Sequence, residues 1–114
     1  MEKVAIVTGS SSGIGFETSL ALAREGYFTY ATMRDTTKSN KIKEIAQKEN
    51  LKINVLELDV DDEKSVKSAI AQILDQKQRI DVLVNNAGWV SGDVLKMCLL
   101  MNSRNSLRQI SSQL

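Results

Sequence analysis

Three glycines near the amino terminus, Gly9, Gly13 and Gly15, have the spacing that can bring a backbone against a phosphate group. Residues 8–15 read TGSSSGIG. An apolar run, residues 4–7, precedes them, and a segment with helical periodicity follows. A glycine-rich turn between a strand and a helix is the context that a nucleotide phosphate loop requires. Gly9 permits a sharp turn, Gly13 lets a pyrophosphate approach the backbone, and Gly15 lets the helix pack close to the sheet.

The start of the predicted helix makes this loop attractive to anions. The N–H groups of a first helical turn have no partner within the helix and lie at the positive end of its dipole. Ser10, Ser11 and Ser12 can cap the helix or donate hydrogen bonds to phosphate oxygens. The alternative is a turn that only joins a strand to a helix. The preceding strand and the motifs downstream favour the phosphate loop.

The apolar pattern of the chain alternates between strands and helices. Strands are predicted at residues 3–8, 27–33, 52–58 and 80–84. Helices are predicted at 13–25, closed by Gly26, at 36–49, and after Asp61-Asp62, which can cap the third helix. The predicted inward face of that third helix is Val66, Ala69, Ile70, Ile73 and Leu74. This alternation predicts an α/β fold with a Rossmann-like doubly wound parallel sheet of about four strands, in the order 3-2-1-4, and helices on both faces.

Composition excludes several classes of function. Hydrophobic residues make up 42% and charged residues 25% of the 114 residues, and the net charge of +1 gives no reason to expect a nucleic acid or a membrane as partner. The sequence lacks a long apolar run and a basic, then apolar, amino terminus, so we expect neither a membrane span nor a signal peptide. The single cysteine, Cys98, predicts a reducing cytoplasm, and the absence of histidine excludes imidazole catalysis.

Two further motifs connect the glycine loop to a known family. Leu58-Asp59-Val60 follows predicted strand three, and Asn85-Asn86-Ala87-Gly88 ends predicted strand four. With a glycine spacing of G-x-x-x-G-x-G, this combination resembles the short-chain dehydrogenase/reductase family. The resemblance covers about residues 1–88, interpreted as the NAD(P)-binding half of a Rossmann-like fold, and residues 89–114 are an atypical tail. It implies an oxidoreductase that interconverts alcohols and carbonyls by hydride transfer.

The resemblance also implies which residues bind the dinucleotide. Those at the pyrophosphate would be Gly9, Ser11, Ser12, Gly13, Ile14 and Gly15. Asp59 and Val60 would lie at the adenine, and Asn86, Ala87 and Gly88 along the ribose and nicotinamide. The alternative for Asp59 is a turn or helix-cap aspartate, and that for Asn85-Asn86 is a turn that braces neighbouring loops.

The end of predicted strand two indicates which dinucleotide is bound. An acidic residue there would accept hydrogen bonds from the ribose hydroxyls and repel a 2′-phosphate, but this chain has Met33 followed by Arg34. A guanidinium suits bidentate phosphate contacts, and Lys38 and Lys41 add positive charge nearby. We therefore expect NADP(H) rather than NAD(H). The alternative is that Arg34 is a solvated loop residue whose charge is offset by Asp35.

The catalytic residues of the family have no counterpart in this sequence. The resemblance implies a catalytic tyrosine with a lysine four residues later, but Tyr27 and Tyr30 are followed at that distance by Ala31 and Arg34. Both tyrosines belong to predicted strand two. We expect the chain to end before the family's fifth strand, to leave strand four at an open apolar edge, and not to turn over a substrate on its own.

The tail has two interpretations. Leu107, Ile110 and Leu114 can form a short helical face that covers the open edge. Alternatively, a frameshift between about Gly88 and Leu95 has replaced the rest of an oxidoreductase. Codons permitted for residues 96–112, translated in another frame, give a helical pattern ending in Thr-Asn-Phe-Phe that resembles the family's next helix.

Three other interpretations of the chain remain open at this point. The chain could be a catalytically silent nucleotide-binding or dimer-interfering fragment, or the product of a broken gene without function. A methyltransferase also has a glycine-rich loop after its first strand, but Met33-Arg34 disfavours it. The sequence leaves the oligomeric state open.

Overall fold

The computed structural model describes residues 2–11, 13–59, 61–85 and 108–111, which form an α/β fold around a parallel sheet. The sheet has five strands in the order β3-β2-β1-β4-β5. The strands are β1 (Val4–Val7), β2 (Phe28–Met33), β3 (Ile53–Glu57), β4 (Val82–Asn85) and β5 (Arg108–Ser111). The helices are α1 (Gly13–Arg24), α2 (Asn40–Glu49) and α3 (Glu63–Lys77), with a short 3-10 helix, Thr36–Ser39, before α2. The predicted fold class and the order 3-2-1-4 are confirmed.

Helices cover both faces of the sheet because the side chains of β1 alternate between them. Val4 and Ile6 pack in one buried cluster with α3. Ala5 and Val7 lie on the opposite face, which α1 and α2 cover. The predicted inward face of α3 is confirmed, since its buried residues are Val66, Ala69, Ile70, Ile73 and Leu74. All four residues of β1 are buried, as expected for a central parallel strand.

Local signals in the sequence start and stop most of the helices. The Asp62 side chain accepts a hydrogen bond from the Lys64 N–H and caps α3, as predicted. Gly26 ends α1 with φ of 97°, a conformation that favours glycine. The predicted second helix is divided, because the Asp35 carboxylate accepts from the Thr37 N–H and begins a 3-10 turn instead.

A buried ion pair anchors β4 beside β1. Asp81 lies just before β4, is 8% exposed, and accepts hydrogen bonds from the Val4 N–H (2.7 Å) and from Arg79 Nε (2.8 Å). Burial alone would raise the pKa of Asp81, but the Arg79 guanidinium and the Val4 N–H outweigh it and lower that pKa below its ordinary value. The carboxylate thus fixes the start of β4 against the first residue of β1.

The fifth strand corrects the prediction that β4 lies at the edge of the sheet. β5 pairs in parallel with β4, from Val82 opposite Arg108 to Asn85 opposite Ser111. Ile110 is therefore part of a strand, and the helical face predicted for it was wrong; Leu107 and Leu114 lie outside the described residues. Within the described ranges, no helix is both long and apolar enough to span a bilayer.

Candidate functional site

The glycine loop leaves the sheet at the point where the strand order reverses. β1 lies between β2 and β4, so the chain returns to one side of β1 after α1 and to the other side after α3. Crevices at the carboxyl ends of strands next to such a reversal are where doubly wound sheets bind ligands. Residues 8–11 emerge at that end of β1, and α1 begins at Gly13.

The backbone of the loop requires glycine at two of the predicted positions. Gly9 has φ of 65° and Gly13 has φ of 62°, both in the left-handed region that side chains disfavour. A Cβ atom on Gly13 would meet no atom within 4 Å, so this residue faces open space rather than the protein interior. Gly15, by contrast, is buried against the core, which agrees with its predicted role in helix packing. The first turn of α1 is thus open to a ligand.

Hydrogen bonds from neighbouring strands hold the loop in this shape. The Ser10 N–H donates to the Thr32 carbonyl (3.0 Å), and the Thr8 N–H donates to the Val84 carbonyl (3.1 Å). The Val7 carbonyl accepts from the Ser10 and Thr32 hydroxyls, both at 2.8 Å. Ser10 is fully buried, so its hydroxyl braces the loop and is not available to a ligand or as a helix cap. That corrects one of the roles considered for the serine run.

Two bracing side chains were missed in the sequence. Ser19 is buried on α1, and its hydroxyl lies 3.0 Å from the Ser10 oxygen and 2.9 Å from the Gly15 carbonyl. Thr32 is buried in β2 among apolar neighbours. A hydroxyl residue at an inward position of an apolar helix or strand was the available signal, since buried hydroxyls are normally hydrogen-bonded.

A cleft of about 670 Å³ lies against the first turns of α1. We call it the α1 cleft; its lining residues are Ser11, Gly13, Ile14, Phe16, Glu17, Thr18 and Lys41. Ile14 is 62% exposed and is the one large hydrophobic residue exposed to this extent among the described residues. Lys41 of α2 brings a positive charge to the cleft, with Nζ 5.5 Å from the centre of the Phe16 ring. The α1 cleft is therefore lined by an apolar side chain, by the backbone of the first turn of α1 and by the positive charge of Lys41.

A second group of predicted residues meets where β2 and β3 end. Arg34 follows β2, and its guanidinium lies 3.1 Å from the Asp61 carboxylate and 3.6 Å from that of Asp59. The Asp59 carboxylate also accepts from the Asp61 N–H (3.0 Å), so Asp59 does form a turn, the alternative considered for it. The Arg34 side chain is 71% exposed. Its charge is offset by Asp59 and Asp61 rather than by Asp35, whose carboxylate is bonded to Thr37.

The structure thus places the predicted site residues in two groups at the carboxyl ends of the strands. Gly9, Ser11, Gly13, Ile14 and Gly15 belong to the loop and the first turn of α1, and Arg34 and Asp59 lie at the ends of β2 and β3. The predicted residues that lie outside the described part of the chain are Ser12, Val60, Asn86, Ala87 and Gly88.

The two tyrosines lie apart from both groups. Tyr30 is fully buried, its hydroxyl donates to Gln76 Oε1 (2.7 Å), and burial raises its pKa. Its ring packs against α3 on one face of the sheet and does not lie at the glycine loop. Tyr27 lies next to Gly26 at the carboxyl end of α1, where it packs against the Ala5 and Val7 cluster.

Comparison with known proteins identifies the family. A family model described as short chain dehydrogenase matches residues 3–109, which is most of the chain. This chain belongs to the short-chain dehydrogenase family. Its relatives are oxidoreductases, so the family is one of enzymes. The match continues past Gly88 into the residues predicted to be an atypical tail.

Individual relatives share the fold and a moderate part of the sequence. An uncharacterized oxidoreductase of Bacillus subtilis (strain 168) is 39% identical over 97 residues, 83% of this chain and 34% of the relative. Retinol dehydrogenase 13 of Homo sapiens is 35% identical over 103 residues, 83% of this chain and 31% of the relative. The solved menthone neomenthol reductase of Mentha piperita superposes with a TM-score of 0.69 at 33% identity, over 78% of this chain and 32% of that protein. The chain therefore spans about a third of the length of these relatives.

Proposed function

We propose that this chain is the cofactor-binding part of an NADP(H)-dependent oxidoreductase that transfers hydride between nicotinamide and an alcohol or carbonyl group. The glycine loop carries this proposal. Gly9 and Gly13 have positive φ angles where the strand order reverses, and Gly13 faces open space at the first turn of α1. A pyrophosphate fits such a surface because the backbone can approach it closely and the helix dipole attracts it.

In this proposal, different groups of residues bind different parts of the dinucleotide. Gly9, Ser11 and the first turn of α1, including Ile14 and Gly15, bind the pyrophosphate. Asp59 lies at the adenine, and Arg34 binds the 2′-phosphate. Ser12, Val60, Asn86, Ala87 and Gly88 complete the site in this proposal by virtue of the family's motifs, with the last three along the ribose and nicotinamide.

The preference for NADP(H) rests on the end of β2. Met33 is 1% exposed and carries no carboxylate that could bind ribose hydroxyls. The next residue, Arg34, is largely exposed, and its guanidinium can donate two parallel hydrogen bonds to a phosphate. The Asp35 carboxylate accepts hydrogen bonds from the N–H and the hydroxyl of Thr37, so it does not neutralise Arg34.

The cofactor would supply the hydride, and the described residues would bind and orient it. Neither tyrosine of the sequence lies at the loop, and Tyr30 is buried with its hydroxyl bonded to Gln76. We therefore infer that this polypeptide alone binds the dinucleotide without turnover. Retinol dehydrogenase and menthone neomenthol reductase are named for alcohol and carbonyl substrates, which supports that substrate class for the full-length relatives.

The nature of the tail and the cellular compartment are separate proposals. A frameshift between about Gly88 and Leu95 stays a proposal. The match of the family model up to residue 109 does not support it, and the nucleotide sequence tests it. The proposal requires another frame that continues into a Tyr-x-x-x-Lys motif, and early stop codons in both other frames would refute it. Cys98 remains the basis for expecting a reducing cytoplasm.

The cofactor preference is tested by calorimetric titration of the 114-residue chain with NADPH and NADH. Arg34→Met should weaken NADPH binding about tenfold or more, since a charge-assisted pair is worth about 1.5–3 kcal/mol, and should leave NADH binding unchanged. Arg24→Met is the matched control, because Arg24 is an exposed arginine that pairs with Glu49 and lies at the far end of α1. Equal loss of NADPH and NADH binding in Arg34→Met, or no loss of either, would contradict the preference.

A further inference from the structure

The exposed ion pair between Arg34 and Asp61 engages one of the guanidinium donors that the proposed function assigns to a phosphate. Arg34 Nη2 lies 3.1 Å from Asp61 Oδ2, and Arg34 Nε faces Asp59 Oδ1 at 3.6 Å. These are the edge atoms with which a guanidinium forms two parallel hydrogen bonds. The Asp61 carboxylate is therefore hydrogen-bonded to the guanidinium edge that suits a 2′-phosphate, with the Asp59 carboxylate nearby.

The turn before α3 determines the position of Asp61. The Asp59 carboxylate accepts from the Asp61 N–H (3.0 Å), and the Asp59 carbonyl accepts from the Asp62 N–H (3.0 Å). Asp62 in turn caps α3. Because this turn is continuous with a helix of 15 residues, the Asp61 carboxylate is presented beside Arg34 by the fold itself.

The two carboxylates differ in how readily they could give way to a ligand. The Asp59 side chain is 34% exposed, and its carboxylate already accepts a hydrogen bond from the backbone. The Asp61 side chain is 79% exposed, and among the described residues Arg34 is its one ion-pair partner. An exposed pair of this kind contributes little to stability, so a phosphate can displace Asp61 from Arg34.

We propose that Asp61 is a specificity-determining residue that competes with the 2′-phosphate of NADP(H) for Arg34. This inference rests on the proposed function. The 2′-phosphate carries almost two negative charges. The Asp61 carboxylate binds the Arg34 guanidinium that the phosphate needs, and its own negative charge repels the phosphate. NADH carries an uncharged hydroxyl at this position, which Asp61 does not repel. Asp61 therefore lowers the affinity for NADPH and leaves the affinity for NADH unchanged, so the ratio that favours NADPH is smaller than Arg34 alone would give.

The test compares Asp61→Asn with Asp62→Asn in the full chain, by calorimetric titration with NADPH and NADH. Asp61→Asn should tighten NADPH binding about three- to tenfold and leave NADH binding unchanged, with a smaller gain at high ionic strength. Asp62→Asn removes the same charge one residue away, and asparagine still caps a helix, so this control should leave the ratio of the two affinities unchanged.

A double mutant separates competition for Arg34 from simple repulsion of the phosphate. If Asp61 acts through Arg34, Asp61→Asn should have a much smaller effect in the Arg34→Met background. An equal effect in both backgrounds, a weaker affinity for NADPH in Asp61→Asn, or an unchanged ratio would overturn the inference. If the wild-type chain binds neither nucleotide, the proposed function fails and the inference with it. Binding by the wild type with an unchanged ratio refutes the inference alone.

Discussion

Replacing Gly13 by alanine should separate dinucleotide binding from stability. Gly13 has φ of 62°, and a Cβ there would meet no atom within 4 Å. The destabilisation is then limited to backbone strain, about 1–2 kcal/mol for a residue in the left-handed region, less about 0.5 kcal/mol for the lost freedom of the unfolded chain. A net loss of about 1 kcal/mol corresponds to a decrease of roughly 4 °C in the melting temperature of a domain of this size.

The effect on binding should be larger than the effect on stability. The new methyl group would project into the space through which a pyrophosphate approaches the first turn of α1. Holding the phosphate away from that backbone loses at least one charge-assisted hydrogen bond, so the affinity for NADPH should fall about tenfold or more. Circular dichroism melts measure the first effect, and calorimetric titration with NADPH measures the second.

Gly26 supplies the matched control. It has φ of 97° and also has open space at the Cβ position, but it lies at the other end of α1. Gly26→Ala should therefore lose at least as much stability and still bind NADPH like the wild type. A folded Gly13→Ala variant that binds NADPH with wild-type affinity would refute the assignment of this loop to the pyrophosphate.

Two further predictions concern the scaffold. Asp81→Asn should lower the free energy of unfolding by about 2 kcal/mol near neutral pH. Because the pKa of Asp81 is lowered in the folded state, the wild type should lose this advantage as the pH falls below about 4. Thermal melts of both proteins from pH 3 to 7 (about one unit apart) measure the difference, and a constant difference would contradict this. Thr32→Val should lower the free energy of unfolding by about 1 kcal/mol, because it loses the 2.8 Å hydrogen bond to the Val7 carbonyl. Thr29→Val loses a longer hydrogen bond of 3.3 Å in the same strand and should lower it less. Urea unfolding measures both free energies, and equal losses would argue against the role of Thr32 in holding the loop.

Local and periodic signals were sufficient to predict most of the fold. The inward face of α3 follows from apolar residues at helical spacing, and its cap at Asp62 follows from a side chain that bonds to its own backbone nearby. Gly26 likewise marks the end of α1 because few other residues adopt its φ angle. Each of these features depends on neighbours in sequence, so the sequence pattern contains the information.

The features that the sequence did not predict depend on partners far away in the chain. β5 reads RQIS, which lacks a strand pattern, and forms by pairing with β4, so tertiary context overrides its weak propensity. Asp35 was considered as a counter-ion of Arg34 only in the alternative interpretation, because it is adjacent. Its carboxylate instead accepts a hydrogen bond from Thr37 in a local turn, and Asp61, 27 residues from Arg34, is the ion-pair partner. Thr32 is marked in the sequence by a hydroxyl at an inward strand position, but its partner, the Val7 carbonyl, lies 25 residues away.

An NMR titration of the wild-type chain with NADPH tests the central claim most directly. Two-dimensional amide spectra would follow the backbone N–H groups of the glycine loop and the first turn of α1. The account predicts saturable shifts concentrated at Gly9, Ser11 and residues 13–15, with the amides around Gly26 unchanged. Absence of saturable shifts, or shifts confined to residues away from the loop, would contradict the claim that this loop binds the pyrophosphate of a dinucleotide.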